Sequence, residues 1–167
     1  MRKTFVFVSL LCVFLVTEPS AGNDEAFEKQ LLDRHNVLRA KHGVAHLTWS
    51  KEIQRYAQEW AEINARDDRM HHRPRNKYGE NIFWMSGGRP TGDYVVDAWY
   101  SEIKYYNFNK PGFNYKTGHF TQVVWKDSTK LGCGKAKSRR GGIYVVCNYS
   151  PAGNFMGSFR QNVPRLK

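Results

Sequence analysis

The sequence predicts an α+β domain in which helices cover a sheet, and three observations carry that prediction. Apolar residues recur at helical spacing over residues 24–42 and again over 50–67. Residues 80–85 alternate as a strand does. Two further extended runs, 131–137 and 143–149, flank the turn-like Ser138-Arg139-Arg140-Gly141-Gly142 and form a hairpin pattern. Helices laid on a sheet are the layer arrangement that this order of elements suggests.

The chain opens with Arg2 and Lys3, continues through an apolar run at 5–16, and reaches the small residues Ser20, Ala21 and Gly22. This is the pattern of a signal peptide over residues 1–21, which leaves a secreted single domain at 22–167. The apolar run is too short for a bilayer span, which needs roughly 20 residues. Loss of Arg2, Lys3 and Glu18 takes 26 basic and 15 acidic residues to 24 and 14, a net charge of +10. Such a charge attracts anionic surfaces, whether membrane, glycan or nucleic acid, and also serves plain solubility.

In the first helix Phe27, Leu31 and Leu38 make a stripe, with Leu32 at its flank and Gly43 beyond its end. Ser50 can cap the second, which runs to about Asp67 and places Ile53, Ala57, Trp60 and Ala61 on one face. Residues 66–77 are polar and basic, contain Pro74, and read as a loop or a loose surface strand carrying His71 and His72. The strand at 80–85 sets Glu80, Ile82 and Trp84 on one face before Ser86-Gly87-Gly88-Arg89-Pro90 breaks it. Thr91 or Asp93 caps a third helix, with Val95, Trp99, Glu102 and Tyr106 on one line. Residues 107–116 form a loop. Thr117 and Gly118 then start a short buried helix, with His119 in its first turn and Phe120, Val123 and Val124 facing inward. The tail from Pro151 is broken by glycine and proline.

Cys12 leaves with the signal peptide, so the mature chain has Cys133 and Cys147. The two are symmetric about Arg140, and a hairpin centred there sets them opposite each other, within reach of a disulfide in an oxidising compartment. Closing that loop contributes about 3 kcal/mol by the chain-entropy argument. A zinc site is a poorer reading of two cysteines with no histidine near them in sequence.

Three polar side chains sit on apolar faces: His119, Glu102 and Glu80. Burying a carboxylate without a partner costs several kcal/mol, so such groups meet one another or open onto water in a polar cleft. Spacing alone leaves open the alternatives of a core histidine and two solvated edge acids.

Gly118-His119-Phe120-Thr121-Gln122-Val123-Val124-Trp125 and Tyr144-Val145-Val146-Cys147-Asn148-Tyr149-Ser150-Pro151-Ala152-Gly153-Asn154-Phe155 resemble the two signatures of the CAP superfamily. That superfamily comprises the cysteine-rich secretory, antigen 5 and pathogenesis-related 1 proteins. Gly79-Glu80-Asn81-Ile82 and Trp99-Tyr100-Ser101-Glu102 extend the resemblance, which looks closest to the Golgi-associated branch. The resemblance implies a CAP-type α-β-α sandwich as a single domain. It also implies a cleft lined by His72, Glu80, Glu102 and His119, with His71 the competitor for the first position.

In that cleft His72 and His119 would be the ligands of a divalent ion such as Zn²⁺, weakly bound and not required for the fold, with the acids supporting them. Binding of sterol or lipid is the implied function, beside the affinity for anionic membrane or glycan surfaces that the charge supplies, with a role in defence, secretion, venom or saliva and a monomeric or weakly dimeric state. No nucleophile with a paired base is visible, so metal-dependent hydrolysis in the same cleft is the alternative reading. No interleaved aromatic and basic motif marks a nucleic-acid partner.

Overall fold

A computed structural model of the chain describes residues 21–167, with side chains from Asp24 onward. The predicted signal peptide therefore lies outside the described residues, apart from Ala21. The elements in order are α1 (Ala21–Lys41), β1 (Thr48–Trp49), α2 (Lys51–Asp67), β2 (Gly79–Ser86) and α3 (Gly92–Tyr100). A 3-10 turn at Ser101–Tyr105 follows, then α4 (Gly118–Val123), β3 (Lys130–Lys137), β4 (Gly142–Ser150) and α5 (Phe159–Asn162).

The strands form one sheet in the order β1-β3-β4-β2. Among the described residues only the short β1–β3 pairing is parallel. β4 lies inside the sheet and is buried over all but its last residue, which is why its sequence, Ile-Tyr-Val-Val-Cys-Asn-Tyr, lacks a charged side chain.

Pleating sorts the sheet residues onto two faces. Leu131, Cys133, Val145, Cys147 and Tyr149 pack with Leu31 and Leu38 of α1, Val95 and Trp99 of α3, and Phe120 and Val123 of α4. On the opposite face Ile82 and Val146 meet Ala57, Trp60 and Ala61 of α2. The result is a three-layer α-β-α sandwich.

The α2 layer sits unusually close to the sheet because β3 offers it glycine. A methyl group on Gly132 would stand 2.2 Å from the Gln54 amide nitrogen, and one on Gly134 would stand 2.2 Å from Gln58 Cα. The helix backbone thus rests directly on the strand.

Helix starts follow the sequence reading at two places. Ser50 caps α2 through the Ile53 amide, and Thr91, not Asp93, caps α3 through the Tyr94 amide. At α4 the expectation changes: Thr117 makes no capping bond with its side chain. The carboxylate of Glu102 accepts from the His119 and Phe120 amides instead.

Two further differences concern length and continuity. α3 stops at Tyr100, and Glu102 sits on the tighter 3-10 turn rather than on a continuing α-helical stripe. Tightening the turn aims Glu102 at α4, while Tyr106 still reaches the core. The tail also forms a short helix, α5, whose Phe159 packs edge-on against Trp125 at 5.1 Å.

The hairpin register sets Cys133 opposite Cys147 with 4.1 Å between their Cα atoms, and they form the disulfide. Cys147→Ser is expected to lower the unfolding free energy by roughly 2 to 4 kcal/mol in guanidinium titrations. Two reactive thiols in the purified wild type would contradict the bridge.

Candidate functional site

β2 anchors the site. Glu80 and Asn81 are successive residues, so their side chains leave opposite faces of the sheet. Glu80 faces the α2 side, where the loop after α2 brings His72. The His72 Nδ1–H donates to Glu80 Oε1 at 2.7 Å, and the Arg73 amide donates to the same oxygen at 3.1 Å. Asn76 Nδ2 donates to Oε2 at 2.9 Å and Asn148 Nδ2 at 3.4 Å. Four donors explain how a carboxylate only 5% exposed is tolerated. His72 itself is 67% exposed, and the Glu80 carboxylate beside it raises its pKa above the ordinary histidine value against the opposing effect of burial.

The adjacent histidine goes elsewhere. His71 packs edge-on against Trp60 at 4.9 Å, and its backbone carbonyl accepts from the Trp60 indole N–H. Of the two histidines ahead of Pro74, His72 is the one that meets a glutamate.

The second pair lies between the 3-10 turn and α4. The His119 Nδ1–H donates to Glu102 Oε1 at 2.7 Å, while Glu102 Oε2 receives the His119 and Phe120 amides at 2.9 and 3.2 Å. One carboxylate thereby orients the imidazole and caps the helix that carries it. The His119 ring stacks on Trp99 with 6.4 Å between centroids and a 16° tilt. His119 is neither a core histidine nor fully exposed, with 31% of its side chain open.

Both histidines have the same chemistry. A carboxylate accepts only, so in the neutral imidazole each Nδ1 carries the proton and each Nε2 keeps a lone pair. Among the described residues neither Nε2 has a protein hydrogen-bond partner. The structure forms the predicted residues into two pairs, His72–Glu80 and Glu102–His119. Among the described residues no group of three or more His, Cys, Asp or Glu side chains is placed to hold a metal ion. A groove of about 930 Å³ between α1, α2 and the β3 edge, lined by Phe27, Gln54, Gln58 and Lys135, includes none of these four residues.

A buried polar chain that the apolar patterning does not predict lies behind the site. The His35 Nδ1–H donates to the Leu31 carbonyl at 2.7 Å, so Nε2 accepts the Tyr149 hydroxyl proton at 2.8 Å. Tyr149 O accepts from Asn81 Nδ2 at 3.1 Å, and Asn81 Nδ2 also donates to the His119 carbonyl at 3.1 Å. Burial lowers the His35 pKa to about 4 and raises that of Tyr149. A helix-period signal for His35 existed, because it falls four residues after Leu31 on the same stripe.

Fold and site together define a three-layer α-β-α domain with two histidine–glutamate pairs held by β2, α4 and their flanking loops. The chain belongs to the CAP, or cysteine-rich secretory protein, family, whose profile matches residues 32–149. It is 46% identical over 142 residues to the human Golgi-associated plant pathogenesis-related protein 1, covering 82% of this chain and 92% of that protein. It is 38% identical over 157 residues to pathogenesis-related protein 1C of Nicotiana tabacum, covering 93% and 92%. The crystal structure of NaASP2 with Zn²⁺ superimposes with a TM-score of 0.70 at 26% identity, covering 89% of this chain and 90% of that one.

Proposed function

We propose that this is a secreted CAP-domain protein that binds lipid or sterol and anionic surfaces, and whose His72 and His119 hold a divalent ion such as Zn²⁺. The observation that carries the metal reading is the commitment of each Nδ1 to a glutamate, which leaves two oriented Nε2 lone pairs. A glutamate behind a histidine fixes the tautomer and raises its basicity as a ligand. With two protein ligands, water completes the coordination and affinity is modest. Zn²⁺ accompanies the solved relative NaASP2, which supports the choice of ion.

Net charge of +10 after residue 21 supports binding to anionic surfaces. The lipid or sterol part rests on the family resemblance. Secretion rests on the N-terminal pattern at 1–21, while the human relative carries a Golgi association in its name. The pathogenesis-related relatives support a role in defence.

Calorimetry with Zn²⁺ tests the metal reading. The wild type is expected to bind, and His119→Ala to lose most of that binding. Glu80→Gln and Glu102→Gln should weaken it by about 10- to 100-fold, as acids supporting a ligand do. Protons compete with a metal for histidine ligands, so binding fades on acidification, and the raised His72 pKa starts its share of the loss above the ordinary value of about 6.5. Unchanged Zn²⁺ affinity in His119→Ala would refute the assignment.

A further inference from the structure

The positive charge is unevenly distributed along the chain. Residues 22–102 hold 12 basic and 13 acidic side chains, whereas 103–167 hold 12 basic side chains and one acidic, Asp127. The entire excess lies in the second stretch, which includes two loops that meet at the start of α4.

Those loops expose apolar side chains. Tyr115 is 91% exposed, Met156 77% and Phe155 59%. Phe113 ties the first loop down, lying 5.3 Å from Tyr115 and 6.5 Å from the buried Phe159. Asn154 ties the second, donating to the Gly118 carbonyl at 2.9 Å and accepting from the Thr121 hydroxyl at 2.6 Å. Asn154 holds this position with φ of 61°, a left-handed conformation that asparagine tolerates. Large apolar side chains are thus held outward by a fixed frame. Lys110 and Lys116 lie in the first loop, and Arg160 follows Phe159, all three exposed. Exposed apolar side chains with cations in the same loops and on the adjoining α5 are what anionic bilayers select.

We infer that this face docks the protein on an anionic lipid bilayer. Tyr115, Phe155 and Met156 enter the interfacial layer, and Lys110, Lys116 and Arg160 meet the anionic headgroups. The inference rests on the proposed affinity for anionic surfaces and gives it a place and a partner. A sulfated glycan would satisfy the cations but give the apolar side chains nothing to enter. Asn154 bonds to Gly118, the residue before His119, so the docking loops join the start of the helix that carries His119.

Co-sedimentation with phosphatidylcholine vesicles containing about one-third phosphatidylserine tests this, with pure phosphatidylcholine as the neutral control. The wild type is expected to bind the anionic vesicles selectively. Phe155→Ser with Met156→Ser, and separately Lys110→Glu with Lys116→Glu, should each weaken partitioning by about tenfold or more. Arg139→Glu with Arg140→Glu at the hairpin tip makes the same charge change as the lysine pair and should leave partitioning within about threefold. Equal losses in the two charge-reversed pairs would overturn the assignment in favour of diffuse attraction. Unchanged binding in the Phe155 and Met156 variant would overturn it in favour of electrostatics without insertion, as at a glycan. A wild type that ignores anionic vesicles at low salt would instead remove the proposed surface affinity itself, while leaving the Zn²⁺ reading standing.

Discussion

Arg39→Met is expected to lower the unfolding free energy by about 4 kcal/mol or more, enough to leave a domain of this size barely folded. Arg39 has no exposed surface, and its guanidinium spans four backbone carbonyls: Ala45 at 2.8 Å, Val123 at 3.1 Å, Trp125 at 2.9 Å and Ser128 at 2.8 Å. Those carbonyls belong to the segment after α1 and to the end of α4 and the turn beyond it, so one side chain joins the first helix to the stretch that carries His119. Burial works against the charge and lowers its pKa to about 10, which leaves it protonated at neutral pH. Removing the charge recovers about 3 kcal/mol of that burial cost. It also leaves four buried carbonyls without donors, at about 1 to 3 kcal/mol each, and the second effect wins. Arg39→Lys should lose about half as much, because an ammonium keeps the charge but cannot span the four acceptors. A loss below about 1 kcal/mol for Arg39→Met in denaturant titration would show that the carbonyls find other donors.

Elements defined by local patterning were legible in the sequence. Ser50 and the Ile53, Ala57, Trp60, Ala61 face gave α2 almost to the residue, and the symmetry of Cys133 and Cys147 gave the β3–β4 register. What required three dimensions was harder to read. The two residues of β1 have no periodicity of their own and pair only because β3 is already in place. Glu102 could be placed on an apolar line, yet its capping of α4 depends on a 3-10 turn that the line does not encode. On α1 and just past its end, His35, Arg39 and His42 continue the helical phase of Leu31 and Leu38. Being polar, they leave no mark in the apolar periodicity, although all three are buried. At the site, the pairing of Glu80 with His72 required the loop after α2 to fold back over eight residues of chain, which spacing alone could not show.

The buried chain on α1 makes a second large effect follow from acid. Between pH 7 and pH 4 His35 is expected to remove about 3 kcal/mol of stability. The folded pKa of about 4 lies below the unfolded value of about 6.5, so the stability that neutral His35 contributes is present above the unfolded value. It is lost as pH falls from there through the folded value. His42, also lowered by burial, acts in the same direction. The pKa of His72 is raised, and its contribution is fully present below about 6.5 and lost as pH rises through its folded value, so it opposes the other two. A difference measurement isolates His35. His35→Asn keeps an amide that can donate to Leu31 but does not titrate. The stability gap between wild type and variant should therefore narrow by about 3 kcal/mol from pH 7 to pH 4. Protonated His35 cannot accept from the Tyr149 hydroxyl, so the chain through Asn81 to the His119 carbonyl has to rearrange as the gap closes. Acid therefore loosens the support of the His119 segment from behind. A gap that stays constant from pH 7 to pH 4 would place the acid sensitivity elsewhere in the fold.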